Sequence, residues 1–143
     1  MNIVVETATV GDRDAVVALW RACGLVVSYN DPSADFDLAL AGPNSAVLVA
    51  RNDQRTIVGG LMVGHDGHRG WVYYVGSHPA LQGGGIGKRL VSAAENWLSQ
   101  RGMRKVQLLV RRSNAEVVSF YERLGFAEAA TIVMAKWLND PPA

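Results

Sequence analysis

The sequence lacks most features that mark a secreted, metal-binding or nucleic-acid-binding protein. Its single cysteine, Cys23, excludes an internal disulfide and a multi-cysteine metal site. A lone thiol fits a reducing compartment, so we expect a cytoplasmic protein. The 14 basic residues nearly balance the 13 acidic ones, and the resulting net charge of +1 indicates no basic face for nucleic acid.

Long apolar runs are also missing. No stretch approaches the roughly 20 apolar residues of a membrane-spanning helix. The N-terminus has neither the basic start nor the apolar run of a signal peptide. We therefore expect no membrane partner. A length of 143 residues is typical of one domain with one core, and we expect residues 1–143 to form a single domain.

Hydrophobic periodicity and turn residues predict the order β-α-(α)-β-β-β-α-β-α-β, a mixed sheet with helices packed on it. The predicted strands are residues 3–5, 46–50, 57–63, 71–75, 106–110 and 130–137. The first helix is capped by Thr9 or Asp12, and Asn114 caps the last one. A short helix is predicted over 35–40, and a longer one follows a glycine-rich loop. Trp20 and Cys23 lie on the apolar stripe of the first helix, so we expect a core residue and a structural thiol rather than a substrate platform and a nucleophile.

The most informative stretch is this glycine-rich loop between a strand and a helix. It reads Gln82-Gly83-Gly84-Gly85-Ile86-Gly87 and is followed by Lys88 and Arg89. Three successive glycines make a poor helix interior, because each costs about 1 kcal/mol relative to alanine. Without Cβ atoms, the backbone N–H groups of 83–87 can converge on an anion at the positive end of the helix. The loop thus predicts a phosphate or diphosphate site, with a flexible surface turn as the alternative.

Two common phosphate-binding motifs do not match the loop. A Walker loop requires a glycine where this chain has Gln82 and a hydroxyl residue where it has Arg89. A dinucleotide-binding fingerprint opens the first βαβ unit with Gly-x-Gly-x-x-Gly, whereas this loop lies past mid-chain and has a different spacing. Both classes of nucleotide site are therefore disfavoured.

Two separate motifs resemble the GNAT superfamily of N-acetyltransferases. Gln82-x-x-Gly85-x-Gly87 is similar to that superfamily's Gln/Arg-x-x-Gly-x-Gly/Ala signature, and residues 75–79 resemble its strand-to-loop entry. Residues 114–126 resemble its Asn-x-x-Ala-x-x-Phe-Tyr-x-x-x-Gly-Phe stretch, with Val117 where alanine is more usual. Two short segments, 30–32 and 66–70, are similar to those of the small bacterial YpeA-like acetyltransferases.

The resemblance implies an α/β (α+β) fold with a mixed, mostly antiparallel sheet of six to seven strands and about four helices, splayed between strands four and five. It implies acetyl-CoA as the acyl donor, with the pantetheine arm inserted at the splay, and no metal ion. The implied coenzyme-binding residues are Val75, Gly76, Ser77, Gln82, Gly83, Gly84, Gly85, Ile86, Gly87, Lys88, Asn114 and Tyr121.

The implied reaction is transfer of an acetyl group to a primary amine of a small molecule, peptide or protein, by direct attack in a ternary complex. Tyr121 would protonate the leaving thiolate, since a phenol with a pKa of about 10 stays protonated at neutral pH. The alternative for Tyr121 is core packing beside Phe120, and for Asn114 it is helix capping alone.

Candidate acceptor-binding residues are Tyr29, Asn30, Asp31 and Tyr73. The first three lie in the segment that the resemblance places over the acceptor. There Asp31 would either pair with a cationic substrate or form a turn before Pro32.

The strand 71–75 contains no carboxylate, so candidates for the general base are taken from its surroundings. They are Tyr73, His65, His68 and Asp66. The last three can instead form a polar turn or a metal site.

Two other function classes stay open. A non-catalytic acyl-CoA-binding regulatory module would keep 82–87 without needing Tyr121, and a phosphate-binding interaction domain would use another nucleotide. The amine acceptor, the acyl-chain preference and the choice between monomer and homodimer are likewise open.

Overall fold

The computed structural model describes residues 2–140. The elements of this part of the chain are β1 (Val4–Thr7), α1 (Arg13–Ala22), α2 (Pro32–Ala41), β2 (Ser45–Arg51), β3 (Ile57–His65), β4 (Gly70–Ser77), α3 (Ile86–Gln100), β5 (Val106–Gln107) and α4 (Ala115–Arg123). Short 3-10 turns, Val10–Asp12 and Pro79–Leu81, precede α1 and α3. Among these helices, none combines the length and the apolar character that crossing a membrane requires.

The strands form one mixed sheet in the order β1-β2-β3-β4-β5. The pairs from β1 to β4 are antiparallel. Short turns join β2 to β3 and β3 to β4, whereas α1 and α2 lie between β1 and β2. β4 and β5 are parallel and pair only at Gly70–Val106 and Trp71–Gln107. Within the described residues, the edge of β4 on the β5 side therefore has no partner strand from position 72 to Ser77.

Helices cover both faces of the sheet, because successive strand residues point to opposite sides. On one face, α3 packs on β2, β3 and β4 through Ile86, Leu90, Ala94 and Leu98. On the other, α1 and α2 bury Trp20 and Phe36 completely. The core position predicted for Trp20 is confirmed. We refer to the second side as the α1/α2 face.

A β-bulge interrupts β4 near its middle. Residues 60–62 of β3 pair with the longer segment 73–76 of β4, so β4 contains one extra residue there. Tyr74 takes up the extra length with a left-handed φ of 57°, a conformation that costs a non-glycine residue on the order of 1–3 kcal/mol. Its ring stacks on Trp20 at a centroid distance of 4.4 Å. As a result, Tyr73 and Tyr74 both lie on the α1/α2 face although they are adjacent in sequence.

Two predicted strands differ from the structure. The strand predicted over 106–110 is reduced to Val106–Gln107, and the one predicted over 130–137 is absent, so the sheet of the described residues has five strands rather than six to seven. Residues 127–140 are exposed and form no backbone hydrogen bond with other described residues. Alternating apolar residues favour a strand only where a partner strand satisfies the backbone groups.

Candidate active site

The glycine-rich loop leads from the end of β4 into the first turn of α3. Gly83 and Gly85 have φ values of 87° and 83°, in the left-handed region that favours glycine. The N–H of Gly84 donates to the carbonyl of Leu81, and the helix bond from Arg89 to Gly85 begins α3. From Gly83 to Lys88, the N–H groups of Gly83, Gly85, Ile86, Gly87 and Lys88 have no acceptor among the described residues.

These free donors lie where an anion is favoured. The N-terminal end of a helix has a partial positive charge, and the first turn of α3 has no acidic side chain. Gln82 and Lys88 are exposed beside the loop. Among the predicted glycines of this loop, Gly84 alone has its N–H bonded within the loop. Gly84 therefore contributes to the shape of the loop and not to its free donors.

The second motif comes next to the first through α4. Asn114 caps α4, since its side-chain oxygen accepts a hydrogen bond from the N–H of Val117 at 3.4 Å. The Cζ atom of Phe120 would lie 3.2 Å from a Cβ built on Gly87. The absence of a side chain at Gly87 thus lets α4 pack against the start of α3.

Tyr121 follows Phe120 and is 9% exposed. The rings of Phe120 and Phe126 contact its ring edge-on, at centroid distances of 5.0 and 5.5 Å. Burial raises the pKa of Tyr121 to about 12, so its hydroxyl is protonated at neutral pH. Packing accounts for the ring but not for the hydroxyl, which has no hydrogen-bond partner among residues 2–140. Among residues 2–140, Trp20 Nε1 is the one fully enclosed side-chain nitrogen or oxygen that lacks a hydrogen-bond partner. The Tyr121 hydroxyl also lacks a partner, so it is not fully enclosed and is accessible to solvent or a ligand.

The end of β4 packs against the end of α1. A Cβ built on Gly76 would lie 2.9 Å from Leu25 Cδ1 and 3.1 Å from Cys23 Sγ. The Cys23 thiol donates to the carbonyl of Ser77 at 3.1 Å, and burial raises its pKa. A protonated, partly buried thiol agrees with the structural role predicted for Cys23.

A cleft of about 430 Å³ opens on the α1/α2 face beside the bulge. Its lining consists of Leu25, Asn30, Asp35, Met62, Tyr73 and Tyr74. Asn30 and Tyr73 are predicted acceptor residues, whereas Asp35 and Tyr74 were missed. The sequence has no signal for them, because two adjacent tyrosines in a strand point to opposite faces unless a bulge intervenes.

The other predicted acceptor residues have different partners. Asp31 Oδ1 accepts a hydrogen bond from the N–H of Ala34 at 3.1 Å and so caps α2, a local backbone bond of the kind that the turn interpretation predicts. Pairing of Asp31 with a cationic substrate stays a prediction. Tyr29 Oη accepts from Arg111 at 2.7 Å, and the Tyr29 ring contacts Trp137 edge-on. Neither Tyr29 nor Asp31 lines the cleft.

The remaining base candidates form a polar turn. Asp66 accepts hydrogen bonds from the backbone N–H groups of Arg69 and His68, which lower its pKa to about 2. His65 Nδ1 accepts from the N–H of Gly67 at 3.2 Å. Residues 2–140 contain no group of three His, Cys, Asp or Glu side chains placed to hold a metal ion. The polar-turn interpretation of this segment is confirmed.

Comparison with known proteins identifies the class. The profile of the acetyltransferase (GNAT) family matches residues 12–126. An acetyltransferase of Pectobacterium atrosepticum is 40% identical over 129 residues, which cover 90% of this chain and 91% of that protein. An acetyltransferase of Yersinia pestis is 39% identical over 127 residues, 89% of each chain.

The fold agrees with this class. The solved structure of the aminoglycoside N-acetyltransferase AAC(6')-Iy in complex with CoA has a TM-score of 0.82 at 16% identity, over 96% of both chains. The family profile and the two relatives show that the protein is an acetyltransferase. The chain belongs to the acetyltransferase (GNAT) family, whose members use acetyl-CoA. The resemblance seen in the two sequence motifs is confirmed.

Proposed function

We propose that residues 1–143 form one acetyltransferase domain, a monomer or homodimer, which transfers an acetyl group from acetyl-CoA to a primary amine. The amine belongs to a small molecule, peptide or protein and attacks the thioester directly in a ternary complex. The observation that carries this proposal is the contact between Phe120 and Gly87, which joins the helix of Tyr121 to the loop of free N–H groups.

The loop would hold the diphosphate of the coenzyme. Each hydrogen bond from an N–H group to a charged oxygen contributes about 1.5–3 kcal/mol, so a few of the free donors suffice. Lys88 adds positive charge, and Gln82 lies at the edge of the loop. No metal ion is needed in this arrangement, because backbone donors and the helix end face the charge.

The pantetheine arm would lie along the open edge of β4 at Val75, Gly76 and Ser77. Its amides would pair with the strand backbone as an added strand does, and a strand N–H would polarise the thioester carbonyl. The Asn114 side-chain oxygen is used in capping α4, which leaves its NH₂ group to donate to the arm.

In the chemical step, the neutral amine nitrogen forms a bond to the thioester carbonyl carbon, and the carbon–sulfur bond breaks. Tyr121 donates its phenolic proton to the leaving thiolate, and the amine loses a proton to water, from which Tyr121 is reprotonated. The raised pKa of Tyr121 keeps the donor protonated throughout the neutral range.

A Tyr121→Phe variant tests the assignment of the acid. Phenylalanine keeps the contacts with Phe120 and Phe126 but removes the hydroxyl. We expect kcat to fall about 100-fold, with the KM for acetyl-CoA and the melting temperature unchanged, measured by thiol release with an amine panel. Turnover at the wild-type rate would show that Tyr121 is not the acid.

Coenzyme binding is tested separately by thermal shift with acetyl-CoA, CoA, ATP and NAD. We expect stabilisation by the first two only. Stabilisation by ATP or NAD alone would contradict the coenzyme assignment. Stabilisation by acetyl-CoA with no thiol release for any amine would indicate a regulatory acyl-CoA-binding module instead.

A further inference from the structure

The cleft beside the bulge adjoins the strand segment proposed for the pantetheine arm. Tyr73 and Tyr74, which line the cleft, directly precede Val75. A thioester held along 75–77 would therefore be reached from the α1/α2 face through this cleft. Its volume of about 430 Å³ is in the range of small-molecule sites.

The charge in the cleft comes from one side chain. Asp35, in the first turn of α2, is the ionisable acid of the lining, and no lysine or arginine is among the described lining residues. Asp35 is partly buried, and its Oδ2 accepts a hydrogen bond from Tyr74 Oη at 2.7 Å. Its Oδ1 has no hydrogen-bond partner within residues 2–140, so one carboxylate oxygen is available to a ligand.

Tyr74 fixes the direction of that carboxylate. Its ring is held by stacking on the buried Trp20, and its hydroxyl is held by Asp35. Burial, together with the nearby Asp35, raises the pKa of Tyr74 above its usual range, so the hydroxyl stays a donor to the carboxylate. Tyr74 is a positioning residue because it acts on a ligand through Asp35.

The rest of the lining suits an organic cation. Leu25 and Met62 provide apolar surface for a carbon chain. Tyr73 adds an aromatic ring and Asn30 an amide, and aromatic rings and carboxylates are the groups that bind ammonium ions in proteins.

We infer that Asp35 binds a cationic group of the acceptor other than the amine that is acetylated. The reacting amine has to lose its proton before it attacks the thioester, so it is not the partner of a carboxylate at that moment. The acceptors are then small compounds with at least two amino groups separated by a short carbon chain. This inference rests on the proposed acetyl transfer and names the class of acceptor for the same site.

The test compares diamines with monoamines of equal length. Unbranched 1,n-diamines of two to six carbons are each paired with the corresponding 1-aminoalkane, and thiol release is measured at saturating acetyl-CoA. For at least one length, we expect the wild-type kcat/KM to be about 10- to 100-fold higher for the diamine. Asp35→Asn should remove that preference through a higher KM for the diamine, with the KM for acetyl-CoA unchanged.

Asp37→Asn is the matched control. It makes the same change of charge in the same helix, but Asp37 pairs with Arg13 at 3.2 Å and does not line the cleft. The diamine preference should survive in this variant. Tyr74→Phe keeps the stacked ring and loses the bond to Asp35, so it should reduce the preference without changing the KM for acetyl-CoA. Melting temperatures identify variants that fail to fold.

The inference is wrong if no diamine is preferred over its monoamine, including the case in which neither is acetylated. It is also wrong if Asp35→Asn and Asp37→Asn change the preference equally. Thermal shift by acetyl-CoA separates this result from failure of the proposed function. A protein that acetyl-CoA stabilises and that acetylates amines without preferring diamines contradicts the inference alone. Stabilisation without thiol release for any amine contradicts the proposed function as well.

Discussion

At the scale of single residues, the loop is defined by backbone angles. Gly83 and Gly85 have left-handed φ values, and no atom lies within 4 Å of a Cβ built on either residue. An alanine at these positions would meet no neighbour but would be strained by its own backbone, by about 1–2 kcal/mol. Relief of that strain would turn the N–H groups that we propose to bind the diphosphate.

Gly85→Ala should therefore affect both stability and binding. We expect the free energy of unfolding to fall by about 1–2 kcal/mol, and acetyl-CoA affinity, measured by calorimetry, to fall by about tenfold or more because charge-assisted hydrogen bonds are lost. Gly102→Ala is the control, since Gly102 has a φ of 84° and open space around it but lies after the other end of α3. It should lose similar stability and keep its coenzyme affinity. Equal affinity losses in both variants would contradict a specific role for the loop backbone.

At the scale of elements, the loop donors are positioned by the packing of α3 on β3. A Cβ built on Gly59 would lie 2.6 Å from Ile86 Cγ2 and 2.9 Å from Leu90 Cδ1. Ile86 is the first residue of α3. Its Cγ2 is bonded directly to Cβ of a β-branched side chain, so this methyl group has little freedom to move away. The glycine in β3 therefore sets how closely the loop end of α3 approaches the sheet.

Gly59→Ala is expected to displace the first turn of α3. The overpacking should lower the free energy of unfolding by about 1–3 kcal/mol, measured by urea denaturation, and should weaken acetyl-CoA binding. Gly11→Ala provides the comparison, because Gly11 has no neighbour within 4 Å of a built Cβ and lies before α1. That variant should be neutral or slightly more stable. Wild-type stability of Gly59→Ala would show that α3 accommodates the extra methyl group.

At the scale of the whole molecule, phenols whose pKa is raised by full or partial burial make the fold sensitive to alkali. Burial raises the pKa of Tyr121 to about 12, and it is also the main cause of the raised pKa of Tyr74. The pKa of an exposed tyrosine in the unfolded chain is about 10. Because the folded value is the higher one, the stabilising contribution is complete below pH of about 10 and is lost as the pH rises towards about 12.

We therefore expect the free energy of unfolding to decrease between pH of about 10 and about 12. Urea denaturation at a series of fixed pH values measures this decrease. Tyr121→Phe should show a smaller decrease, because the phenol of Tyr121 no longer titrates. The tyrosinate absorbance of the folded protein should rise later than that of the unfolded chain. An identical pH dependence in the wild type and Tyr121→Phe would argue against a buried, neutral Tyr121.

Much of the fold followed from signals within a few residues of each other. Asn114 caps α4, Asp12 precedes α1, and left-handed glycines follow the helices at positions 24, 102 and 125. Each of these signals acts through hydrogen bonds to neighbouring backbone groups, so it is complete in the sequence. The prediction of a strand over 130–137 is wrong because an alternating pattern indicates which face of a strand is apolar but not which strand it would pair with.

The sequence by itself determined the family, the glycine-rich loop and the helix that contains Tyr121, because these depend on local backbone chemistry and on two contiguous motifs. Only the tertiary structure decided that Phe120 reaches Gly87, that Asp31 caps a helix, and that Asp35 meets Tyr74 across 39 positions of the chain. Contacts of this kind depend on how helices pack on the sheet and on a bulge in β4. Their physical basis is packing between distant segments, for which a single sequence has no local signal.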